Sequence, residues 1–203
     1  MKLKARFLAG LVLAVSTAVC SAGPALAYNG SQAASYADSW WNGRNGAYPA
    51  FADDCTNFVS QSLFAGGQPP VGTPGDYSEI TNDYYWWWDP YVSLNTHSWS
   101  VAINLYSFLG LSGDGYVAAT SGAMATSGTD SLSQGDVLFY DWQGNGISHS
   151  TIQTVNYGVD PTYGGVGSLV DQHSNDRYHM IWTLQPKNPY AQTTTIYEVH
   201  VTA

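Results

Sequence analysis

From Tyr28 to Trp41 apolar residues fall at Ala33, Tyr36, Ala37 and Trp40, the spacing of one helix face, and predict a first helix. A turn-rich stretch follows over Asn42 to Phe51, with Asn-Gly twice and Tyr-Pro. Phe58, Val59, Ser62 and Leu63 then share a second face, and Gly66-Gly67 closes it, so a helix of about three turns is predicted from Cys55 onward. Asp54 suits the N-cap, which sets Cys55 in the first helical turn. Trp99, Ala102, Ile103, Tyr106 and Leu109 repeat at three and four and predict another helix over Ser98 to Leu109, ended by Gly110. Gln68 to Tyr77 and Gly113 to Ser133 read as loop.

Beyond Gly135-Asp136 the period changes. Val137 to Trp142, Ser148 to Asn156, Ser168 to His173, His179 to Leu184 and Thr193 to Val201 are β-branched and aromatic runs separated by Gly or Pro, the pattern of strands. Helices early and strands late predict an α+β fold with N-terminal helices packed on a C-terminal antiparallel sheet.

The start of the chain reads differently. Lys2, Lys4 and Arg6 precede an apolar run from Phe7 to Cys20 that is too short to span a membrane. Ala25-Leu26-Ala27 then forms a small-x-small cleavage site, so residues 1–27 are expected to be a signal peptide and 28–203 a single secreted domain. A lipoprotein would want a small residue before Cys20, where Val19 stands. No later stretch is apolar enough to cross a bilayer, so no membrane insertion is expected after cleavage.

Removal of the leader leaves Arg44, Arg177 and Lys187 against fifteen acidic residues, a net charge of −12. Such a chain is repelled by phosphate polymers, which argues against nucleic acid as a partner. It also leaves Cys55 without a cysteine partner, unusual in an exported protein. An unpaired thiol is either inert in the core, an intermolecular link or reactive, and a helix N-terminus with a nearby imidazole would favour the thiolate. Five histidines could supply that imidazole: His97, His149, His173, His179 and His200. Asp171, Asp176 and His179 lack tight zinc-ligand spacing, and one cysteine is too few for a structural zinc site, so no metal is expected there.

The segment DDCTNFVSQ, with QGDVLFYDW and ISHSTIQTV after it, resembles the NlpC-type, papain-like cell-wall peptidases. The resemblance extends to the putative amidase domain family through YADSW at Tyr36 to Trp40, DCTNFVSQ at Asp54 to Gln61, GDVLFYDW at Gly135 to Trp142 and QHSND at Gln172 to Asp176. It implies a papain-like fold in which Cys55 is the nucleophile and His149 the general base. The residue orienting the imidazole falls in LVDQHS. His173 is the first choice and Asp171 the alternative, since alternation sets these two on one strand face and Gln172 on the other. The oxyanion is expected on the Cys55 N–H, with the Tyr48 hydroxyl as a second donor.

Trp86 and Trp87, in the aromatic run Tyr84 to Trp88, are candidates for a platform near the site, with packing against loops as the other reading. The expected activity is hydrolysis of an amide through a thioester, on a peptide or peptidoglycan-derived substrate, by a cofactor-free monomer outside the cell or associated with the wall. The alternative is a noncatalytic binding or toxin-like module that holds a glycan or partner on its aromatic surface.

Overall fold

The computed structural model describes residues 27–126, 128–129 and 131–203; the expected signal peptide lies outside them, apart from Ala27. Helix α1 (Gly30–Trp40) starts behind Asn29, whose side chain accepts the Gln32 N–H, and α2 (Cys55–Ala65) follows the predicted turn segment. A short hairpin, β1 (Trp88–Asp89) with β2 (Leu94–Asn95), leads into α3 (His97–Ser100) and α4 (Ala102–Ser112). The remaining elements are strands: β3 (Gly115–Gly122), β4 (Val137–Asp141), β5 (His149–Val159), β6 (Val166–Gln172), β7 (Arg177–Ile181) and β8 (Thr195–Val201). They form one antiparallel six-stranded sheet in the order β3-β8-β4-β5-β6-β7. The α+β architecture therefore stands, with helices toward the N-terminus and the sheet C-terminal.

Three local expectations fail for identifiable reasons. The helix over Ser98 to Leu109 is two helices, broken at Val101, which takes an extended backbone (φ −123°, ψ 127°). Periodicity misses the break because Trp99 before it and Ala102, Leu105, Phe108 and Leu109 after it enter the same core. The second helix runs past Gly110 to a left-handed cap at Gly113. Within the supposed loop from Gly113 to Ser133 lies strand β3, which carries no apolar stripe because it is a mostly exposed edge paired only with β8.

The sheet is buried on both faces. Val137, Phe139, Ile152 and Val199 pack toward Phe58, Val59, Leu63, Leu105 and Phe108 of the helices. The alternate residues Leu138 and Tyr140 join Val170, Met180, Trp182 and Ile196 in a second cluster. This double burial is why β4 reads as a continuous apolar run. Trp86 lies in the helical core, with ring centroids 4.8 Å from Trp99 and 5.8 Å from Phe108. No helix among the described residues is long and apolar enough to cross a membrane.

The first turn of α1 docks on the turn before β4 through a glycine pair. A Cβ on Gly30 would overlap the Gln134 carbonyl oxygen, and Gly135, at φ +88°, faces Gly30 in turn. Overpacking against a backbone that cannot retreat costs about 3 kcal/mol, so Gly30→Ala is expected to lower the melting temperature by several degrees. Gly46→Ala, where a methyl meets nothing within 4 Å, is the control. Equal melting temperatures for the two variants would refute the docking argument.

Candidate active site

Cys55 is the first residue of α2, and the local sequence explains how that end is held. Asp54 occupies the N-cap position, but its side chain makes no capping bond to α2. It is fully buried instead: Oδ2 meets Arg44 Nε at 2.9 Å and His173 Nδ1 at 2.8 Å, and Oδ1 accepts from Asn57 Nδ2 at 2.7 Å. The Asp54 N–H donates to Ser174 Oγ at 2.8 Å, which joins the start of α2 to the turn after β6. Asn57 donates to the Pro49 carbonyl and accepts from Trp99 Nε1, each at 2.8 Å. Helix α2 is thus gripped on every side at its catalytic-looking end.

The thiol meets the start of β5. Cys55 and His149 line one cleft, and the His149 Nε2 lies 3.0 Å from Gln172 Oε1 on the last residue of β6. The Gln172 amide is oriented by its own donation to the Asn175 carbonyl at 3.0 Å, so the oxygen is the atom that faces the imidazole. An amide oxygen only accepts, so His149 Nε2 carries hydrogen and Nδ1 is left for the sulfur. The Trp142 ring stacks beside the imidazole at 5.5 Å. Thr56 Oγ1 lies 3.6 Å from the sulfur and 3.1 Å from Ser150 Oγ.

Burial alone would push the Cys55 thiol up, but the hydrogen bond and charge of His149, with the Thr56 hydroxyl and a Ser150 backbone contact, outweigh it and bring the thiol down to about 7. Burial works to lower His149, yet the hydrogen bond and charge of Cys55, followed by Gln172, leave it raised. The two shifts are reciprocal, each group favouring the charged form of the other.

The residue beside the imidazole is therefore Gln172, not His173 or Asp171. His173 sits under the site: Nδ1 binds Asp54, Nε2 lies 2.9 Å from the Trp40 carbonyl, and its ring stacks on Phe58 at 4.0 Å. Asp171 faces the helices, where its Oδ1 accepts the His179 N–H at 2.7 Å. Alternation along the strand holds; its face assignment was reversed. Ile152, a helix-side core residue, pairs with Asp171, so Gln172 falls opposite Thr151 and shares the other face with His149. The three-residue offset between His149 and apolar Ile152 was the available signal.

Tyr48 is not at the thiol. It stacks on Trp99 at 6.0 Å and lines a separate groove with Phe64, Pro70 and Trp88, so it offers no oxyanion donor. Trp86 and Trp87 are wholly buried, their indole N–H groups donating to Ser60 Oγ and Glu79 Oε2, and neither presents a face to a ligand. The adjacent tryptophans are accommodated because each indole finds a polar partner inside. Of the other histidines, His200 binds Asp136 and His179 binds Asp38.

Around Cys55, His149 and Gln172 opens a cleft of about 510 Å³ lined also by Trp142, Met180, Leu184, Pro189 and Tyr190. Arg177 and Lys187 line it too. These are two of the three basic residues among the described ones; the third, Arg44, is held by Asp54 and Asp176.

Alkylation of Cys55 by iodoacetamide should rise with pH through a midpoint near 7, against about 8.5 for an ordinary thiol. In His149→Ala burial is opposed only by the Thr56 hydroxyl and the Ser150 backbone, so the midpoint should rise above that of the parent. Gln172→Ala removes one hydrogen bond worth about 1 kcal/mol and should slow labelling at pH 7 roughly fivefold. A wild-type midpoint at the ordinary value would overturn the lowering of the Cys55 thiol.

Residues 27–197 match the model of the family described as "Putative amidase domain". "Uncharacterized protein YhbB" of Bacillus subtilis (strain 168) is 32% identical over 180 residues, which cover 88% of this chain and 52% of that protein. The chain thus spans about half the length of that curated relative. No solved structure matches the chain significantly. With the family match running from the start of the described residues into β8, the chain belongs to the putative amidase domain family.

Proposed function

We propose that this protein is a secreted, papain-like cysteine amidase or peptidase that cleaves an amide bond through a thioester on Cys55. The observation that carries the reading is that Cys55, His149 and Gln172 together line a 510 Å³ cleft, with the Gln172 amide oxygen on the imidazole. The thiolate attacks the carbonyl carbon, and the negative charge that develops on its oxygen is met by the Cys55 N–H, which at the first position of α2 has no intrahelical partner. The His149 imidazolium gives its proton to the departing amine, leaving a thioester and a neutral imidazole. Water then enters, His149 takes its proton, and hydroxide attack releases the acid and restores the thiol pair. Gln172 holds the ring so that Nδ1 serves both transfers.

The lining of the cleft favours an anionic peptide substrate. In a chain of net charge −12 after leader removal, the two basic side chains without a carboxylate partner among the described residues, Arg177 and Lys187, both line this cleft. Peptides of the cell wall, which carry free carboxylates, fit that lining, and an extracellular or wall-associated location fits the leader. The binding-module reading depended on an aromatic platform, and burial of Trp86 and Trp87 removes its centrepiece.

Incubation with purified wall fragments, followed by mass analysis, should release fragments whose masses sum to that of the parent plus one water. Cys55→Ala should reduce the rate at least a thousandfold. Full activity in that variant would end the cysteine mechanism. In Arg177→Gln/Lys187→Gln, KM for an acidic peptide should rise about tenfold while a neutral amide is unaffected; equal effects on both would refute the anionic preference.

A further inference from the structure

We propose that Asp38, Asp171 and His179 form a binding site for a divalent transition-metal ion, separate from the Cys55 cleft, that ties α1 to strands β6 and β7. The three side chains come from three elements, and one donor atom from each lies within 4.8 Å of the others. Spacing along the chain could not show this set, because Asp38 enters from a helix more than a hundred residues upstream. Asp176, which the spacing had grouped with Asp171 and His179, is held elsewhere by Arg44 at 3.0 Å.

The independent observation is an unsatisfied atom. Asp171 is 0% exposed, and its Oδ1 accepts both the His179 N–H at 2.7 Å and the Thr154 hydroxyl at 3.3 Å. Its Oδ2 is buried with no hydrogen-bond partner, beside the Asp38 carboxylate. An ionised carboxylate in that position is costly unless something positive lies against it. No Lys or Arg among the described residues pairs with Asp38 or Asp171. His179 Nε2, 2.9 Å from Asp38 Oδ1, completes the cluster.

Two carboxylate oxygens and one imidazole nitrogen suit Zn²⁺ or Mn²⁺ better than Ca²⁺ or Mg²⁺, which favour oxygen alone. Half-exposed Asp38 and His179, at 40% and 20%, leave a route for the ion and room for water ligands. The Tyr178 ring stacks on the His179 imidazole at 3.7 Å and fixes its plane. Since Asp171 adjoins Gln172 on β6, an ion here would stiffen the strand end that carries the partner of His149.

The test uses the full mature chain, free of any tag, stripped with a chelator and titrated calorimetrically with Zn²⁺. A Cys55→Ala background keeps the thiolate and His149 from binding the ion themselves. One Zn²⁺ per chain is expected, with a rise in melting temperature on saturation and a loss of affinity of at least about tenfold in Asp171→Asn and in His179→Ala. Asp171→Asn keeps the Oδ1 acceptor, so the fold should survive; Asp38→Asn, on the exposed side of α1, repeats the test without touching the core. Absence of stoichiometric uptake overturns the proposal, as does uptake indifferent to all three substitutions. A higher melting temperature in metal-free Asp171→Asn, without uptake in the parent, would identify a shared proton in place of the ion.

Discussion

The buried carboxylate of Asp54 is the constraint around which this molecule is arranged. It has no exposure to solvent, so its charge has to be met within the protein, and it is met from three directions: Arg44 from the turn after α1, His173 from the turn after β6, and Asn57 from the next turn of α2. Losing one partner of a buried charge costs about 3–5 kcal/mol, which is enough to hold these segments in a single geometry. Because Cys55 is the next residue, its position relative to the sheet follows from that geometry. His173 also binds the end of α1 through the Trp40 carbonyl, so one ring joins both N-terminal helices to the strand that bears Gln172.

Three consecutive residues at the end of β6 do different work because a strand alternates its faces. Asp171 turns toward α1 and the cluster with His179; Gln172 turns toward the cleft and His149; His173, just beyond the strand, reaches Asp54. A slip of one residue in the pairing of β5 with β6 would exchange the first two and set a carboxylate against the imidazole in place of an amide. That difference has chemical content. A neutral amide oxygen orients the ring without adding a full negative charge beside the thiol.

Charge is distributed with the same economy across the molecule. Among the described residues of this acidic chain there are three basic side chains: one braces Asp54 and Asp176, and two line the cleft. The two basic groups in the cleft therefore offset, at that one place, a charge that is negative over the rest of the described residues.

The sequence by itself determined the α+β order, the helix that Cys55 opens, the strand that His149 begins, and the family, since each rests on a local pattern: helical spacing, turn residues, β-branched runs or a contiguous block of residues. Asn-Gly turns and an apolar stripe act over a few positions and are visible in one dimension. Edge strand β3 escaped because its stability comes from pairing with β8 some eighty residues away, not from its own side chains. The partner of His149 escaped for a related reason: Asp171, Gln172 and His173 are all polar, and only the register between β5 and β6 decides which one faces the thiol. Burial of Trp86 and Trp87 likewise depended on Ser60 and Glu79 waiting inside the fold to accept their N–H groups. Local chemistry chose the elements, while tertiary structure decided which of their faces meet, because that choice is made by contacts between residues far apart in the chain.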